Sequence, residues 1–241
     1  MFDYLRYGLA AGGVAGVAYG LFMATIATPM TEALHHAGHH GHHAAKSAVV
    51  ADSTTTTLVS IGGGLLWAIL LGGGFGLAMF VFEPALPGLA AVRSAVLAAC
   101  GFLTVSAVPW LVVPPATPLS EHAYGIDTRL AIYGGLVGVG AAVAAVAVAG
   151  YRRIAPRHRA LGVAVGVAPI VGTAVVLPAI TPTVVTHPGL PTDLVAAYEA
   201  MVVVGQAGIW LVIAATFGWL QDRAGPSSLA GSTKPTPTES T

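Results

Sequence analysis

The chain has 241 residues, ten basic and ten acidic side chains, zero formal net charge and a hydrophobic fraction of 55%. Only 8% of it is charged, against about 25% in an ordinary soluble domain. A soluble globule could not cover its surface with so few charges, and the zero balance excludes a basic nucleic-acid-binding face.

Crossing the hydrocarbon of a bilayer takes roughly 20 apolar residues. Six stretches reach that length: Gly8–Ala27, Leu58–Phe82, Ser94–Val113, Leu130–Gly150, Ala160–Ile180 and Leu194–Leu220. The predicted fold class is therefore all-α, a polytopic transmembrane helix bundle of six spans filling residues 1–224. The first stretch exceeds the apolar core of a signal peptide, roughly 7–15 residues, and is read as a span. Gly8, Gly12, Gly16 and Gly20 recur on one face of the first span, and Gly64, Ala68, Gly72 and Gly76 on one face of the second. Such small-residue stripes let helix backbones approach closely where lipid supplies no hydrophobic drive. The single cysteine, Cys100, lies in the third stretch and excludes an internal disulfide framework.

Between the first two spans, residues 31–57 form a loop carrying HHAGHHGHH. Its ligand-type residues are His35, His36, His39, His40, His42 and His43. Neutral imidazole binds cobalt, nickel, copper and zinc. Gly38 and Gly41 favour a flexible tract that captures and releases metal over a rigid cage. The competing reading is a solvated low-complexity loop.

The loop after the third span reads PPATPLSEHAYGIDTR and offers Glu121, His122 and Asp127. The loop after the fifth reads PAITPTVVTHPGLPTD and offers His187 and Asp193. Each runs Pro-Ala, Thr-Pro, His, Asp, Leu and Tyr in that order, with eleven residues from His122 to Tyr133 and from His187 to Tyr198. This suggests a weak internal repeat of spans 3–4 and 5–6, a plan known among transporters. Chance similarity in a Pro-rich chain is the alternative. Pro109, Pro114 and Pro115 crowd the end of span three, and Pro178 and Pro182 that of span five. Proline leaves helix carbonyls without a partner. Those carbonyls either line a cavity or mark simple helix ends.

The sixth span holds Glu199, the one acid inside any predicted span. A carboxylate in lipid is costly and commonly marks an ion path or a partner. Val203, Gln206 and Trp210 follow it at helical spacing.

Basic residues orient the bundle. With the N-terminus in the cytoplasm, Arg6, Arg93, Arg152, Arg153, Arg157, Arg159, Arg223 and Lys234 fall inside, and only Lys46 and Arg129 outside. Both termini are then cytoplasmic in a multi-pass cell-membrane protein. The Ser/Thr/Pro-rich tail, residues 225–241, reads as disordered. Eight of the nine histidines fall outside, and only His158 falls inside. Histidine was not used to orient the chain, so this asymmetry is independent.

The opening MFDYLRYGLAAGGVAGVAYGLFMATIATP, the EHAYGID loop and the order of Gly/Ala-rich spans resemble the CbtA family. The likeness covers most of the chain apart from its tail. It implies a cobalt transporter subunit associated with cobalamin biosynthesis, and a small CbtB-like membrane partner with one span and a histidine motif. Only the EHAYGID positions are carried over as candidate ligands.

The expected function is import of a divalent transition metal, cobalt foremost, with nickel or zinc as other cargoes. The alternative is a membrane metal sensor or assembly scaffold that transports nothing. HExxH, GxSxG and Walker A motifs are absent, so neither catalytic residues nor a prosthetic group is expected. The expected partners are the bilayer and the single-span subunit. A homo-oligomer stays open, and nucleic acid is excluded.

Overall fold

The computed structural model describes residues 1–31, 53–86, 88–115, 117, 121–122, 124–181, 185–186 and 190–224. Each predicted apolar run is a helix: α1 (Phe2–Thr31), α2 (Ser53–Phe82), α3 (Ala90–Trp110), α4 (Ile126–Ile154), α5 (Arg159–Ile180) and α6 (Thr192–Ala224). The all-α, six-span bundle read from the sequence is what the structure has. In hydrocarbon every backbone N–H and C=O must be bonded within its own segment, which a helix achieves. Most helices extend past their predicted apolar cores. α3 starts early, at Ala90 and not Ser94, but stops at Trp110, short of the predicted Val113 and of Pro114 and Pro115. The histidine tract His35–His43 and the tail 225–241 lie outside the described residues.

The glycine stripes do what their spacing predicts. α1 and α2 touch backbone to backbone along Gly8, Gly12 and Gly16 on one side and Ala68, Gly72 and Gly76 on the other. A Cβ on Gly12 would lie 2.5 Å from the Ala68 carbonyl oxygen and 2.9 Å from Ile69 Cα, so no larger residue fits. Gly13, one position round the helix, faces open space.

α6 packs against both α1 and α3 and supplies the centre of the core. Phe217 is fully buried, with its ring edge-on to Phe75 at 5.2 Å and to Tyr7 at 6.3 Å. The Trp210 ring lies over Gly101 of α3, where a side chain would collide with it. α4 packs on α3, and α5 packs on α4. Val163, Val167, Val171 and Val175 recur every four residues along α5 and are all exposed. Such a stripe suits lipid contact.

Two π turns interrupt the helices, Met23–Ala27 in α1 and Leu103–Ala107 in α3. In the first, Thr28 Oγ1 donates to the Met23 carbonyl at 3.0 Å. π turns shift hydrogen-bond partners and are frequent at functional positions.

At the end of the bundle that carries the N-terminus, three elements are pinned together. Arg93 of α3 meets Glu83, just past α2, at 3.0 Å. The Tyr4 hydroxyl of α1 donates to the other Glu83 oxygen. Arg93 Nε also donates to the Gly88 carbonyl at 2.8 Å. Gly88 turns the chain between α2 and α3 at φ 91°, in the left-handed region that glycine enters without strain.

Candidate metal-handling site at the loop end

The loops that follow α3 and α5 meet at the opposite end of the bundle. β1 (Glu121–His122) pairs antiparallel with β2 (Val185–Thr186), Glu121 opposite Thr186 and His122 opposite Val185. The pairing rests on a small apolar core. Val185 is buried with Val112 and Leu136, and Val113, Ile132 and Leu177 pack around them. That core ties both loops to α4 and α5.

The register also bears on the internal repeat. The same spacing separates His122 from His187, Tyr133 from Tyr198, and Glu121 from Thr186. Glu121 and Thr186 are themselves a paired couple. A local two-fold axis through that couple would exchange equivalent positions of the two loops. The aspartates fall one residue out of this spacing, since Thr192 and not Asp193 is the equivalent of Asp127, yet each opens a helix. Asp127 lies in the first turn of α4 and Asp193 in the first turn of α6, and both are exposed. Carboxylates there also suit the positive end of a helix dipole.

The sequence-predicted ligands are thus distributed unevenly. Glu121 and His122 lie on β1. Asp127 and Asp193 flank the ladder at two helix starts. His187 follows Thr186 directly in the chain and lies outside the described residues, as do His35, His36, His39, His40, His42 and His43. Glu199 is half-buried in α6. Along its helical face Gln206 and Trp210 are buried, whereas Val203 is exposed. Among the described residues, no three His, Cys, Asp or Glu side chains are grouped closely enough to hold a metal ion.

Sequence reasoning missed several features of this end. The Tyr133 hydroxyl donates to the Val105 carbonyl at 2.6 Å. Pro109, four residues after Val105, has no N–H to close the ordinary helical bond to that carbonyl. Among the described residues, Thr117 Oγ1 and Arg129 Nε are buried without a hydrogen-bond partner. The Glu83–Arg93–Tyr4 cluster at the other end was also unforeseen. Its only sequence signals were a charge at each edge of two apolar runs.

A cavity of about 510 Å³ lies between α2, α3, α4 and α6. Its wall includes Trp67, Phe75, Cys100, Thr104, Ala144 and Trp210 and is almost wholly apolar. Such a wall cannot replace the hydration of a divalent ion, so the cavity itself is not a resting site for one. Of the sequence-predicted candidates, Glu121, His122, Asp127 and Asp193 lie instead at the loop end.

A family model described as "Probable cobalt transporter subunit (CbtA)" matches residues 1–222. The chain belongs to the CbtA family. Searches of curated proteins and of solved structures returned no match. CbtA membership and six membrane-length apolar helices make this a multi-pass membrane protein of a transporter-subunit family.

Proposed function

We propose that this CbtA-family subunit imports a divalent transition metal, cobalt foremost, across the cell membrane to supply cobalamin biosynthesis. The N- and C-termini face the cytoplasm, and the paired loops form the external mouth. What supports the reading is the antiparallel couple Glu121–Thr186, which draws together two loops that each carry one histidine and at least one carboxylate, together with the family match. Imidazole and carboxylate form a mixed N/O donor set suited to such cations.

In this scheme His35, His36, His39, His40, His42 and His43 concentrate the ion. Glu121, His122, Asp127, His187 and Asp193 receive it, and Glu199 compensates charge within the bundle. The metal is cargo, and the chain performs no catalysis. The description as a subunit fits a further membrane component, for which a single-span CbtB-like protein is the candidate. An inside-negative potential of ~100 mV favours inward movement by about 2.3 kcal/mol per charge, roughly 4–5 kcal/mol for a divalent ion. A uniport mechanism is therefore energetically sufficient.

Cells expressing the chain together with the proposed single-span partner should accumulate radioactive cobalt faster than vector controls. Equal uptake would remove the proposal.

A further inference from the structure

We propose that a second groove, between α3, α4 and α5, is a binding site for an anionic phospholipid. The groove encloses about 820 Å³, within the roughly 300–1,000 Å³ range of small-molecule sites. Its length is apolar, walled by Val96, Phe102, Ala147, Val148, Val163 and Ile170. One end is polar, where Tyr151 lies near the end of α4 and Arg159 opens α5. Val163 and Val167 line the groove and are 49% and 46% exposed, so lipid reaches it sideways.

Charge selects the occupant. The stretch from Tyr151 to Arg159 carries four arginines and no acid. Three other arginines are engaged, Arg6 with Asp3, Arg93 with Glu83, and Arg223 over the Trp219 ring at 4.0 Å, and Arg129 lies at the opposite, loop end of the bundle. Arg152, Arg153, Arg157 and Arg159 have no ion-pair partner among the described residues. Of these four, Arg159 lies on the groove wall. An apolar trough ending in an unpaired guanidinium matches a molecule with an acyl chain and a phosphate. Basic pockets between spans bind phospholipid headgroups in this way, and a guanidinium forks onto phosphate oxygens. A neutral protein helix would leave Arg159 without a counter-charge, and free phosphate would leave the trough unfilled.

The test is native mass spectrometry of the intact protein, with any co-purifying subunit, titrated with phosphatidylglycerol or phosphatidylcholine. Phosphatidylglycerol should be retained about fivefold better. Arg159→Gln should bring the two lipids to parity, whereas Arg157→Gln, off the groove wall, should leave the preference intact. Val163→Trp fills the trough without altering charge and should lower retention of both lipids. If Arg159→Gln fails to fold, Arg159→Lys and Val163→Trp decide, the first keeping the preference and the second losing retention. Equal retention of the two lipids by the unaltered protein would overturn the proposal. So would equal losses from Arg157→Gln and Arg159→Gln, or displacement of the lipid by inorganic phosphate with no effect of Val163→Trp. The assay reads no metal, so its failure leaves the transport reading untouched.

Discussion

The Tyr133 hydroxyl of α4 caps the Val105 carbonyl within the π turn of α3, at 2.6 Å. A carbonyl that Pro109 cannot serve is thereby satisfied by a neighbouring span. The bond is a strut between the two helices that lead into and out of the loop carrying Glu121 and His122. Tyr133→Phe should cost about 1 kcal/mol in detergent unfolding, the scale of an interhelical hydrogen bond in a membrane protein. In a Pro109→Ala background the restored N–H can serve Val105, and the same substitution should cost much less. A double-mutant cycle on thermal midpoints measures the difference.

The α1–α2 seam offers a sharp positional test. Gly12→Leu must push backbone away from backbone and should destabilise the bundle by at least about 1–3 kcal/mol. Gly13→Leu, pointing into open space, should leave folding near that of the unaltered chain. Monodispersity and thermal stability in detergent distinguish the two.

Glu83 is the shared partner of Tyr4 and Arg93. Both members of the ion pair are about one-third exposed, at 29% for Glu83 and 35% for Arg93, so solvent screens them. Glu83→Gln should therefore cost only about 1 kcal/mol. The exchange Glu83→Arg with Arg93→Glu should recover part of that loss. Equal stability of the unaltered chain and both variants would mean the contact contributes nothing.

External metal capture should depend on pH. Imidazole binds metal only when neutral, and its reference pKa is about 6.5. Moving external pH from about 7.5 to about 5.5 takes the neutral fraction from roughly nine-tenths to roughly one-tenth. Initial uptake at sub-saturating cobalt should fall over that window. Deleting residues 35–43 should slow uptake at neutral pH and flatten the profile. An unchanged profile after the deletion would assign the histidine tract no part in capture.

Much of the fold was legible because a bilayer reduces it to a local property. A run of apolar residues with no charge must be a helix, wherever it later packs. The α1–α2 seam was legible for a related reason: Gly8, Gly12, Ala68 and Gly72 advertise a close approach at fixed spacing. The shared His-to-Tyr spacing marked the two loops after α3 and α5 as alike, but their pairing through Glu121 and Thr186 had no local signal. What stayed hidden depends on contacts far apart in the chain. Nothing local tells Glu83 that Tyr4 and Arg93 will reach it, or directs Tyr133 to Val105. Nor does hydropathy reveal that Gln206 turns inward while Val203 turns to lipid, since both sit in one apolar run.

Flux into sealed vesicles tests metal movement through the bundle most directly. The chain, reconstituted with its co-purifying subunits, should admit cobalt under an inside-negative potential faster than protein-free liposomes do. Replacing Glu121 and His122 together by Gln and Ala should reduce that rate at least several-fold. Cobalt flux no greater than in empty vesicles, with the assembled complex present, would contradict the account.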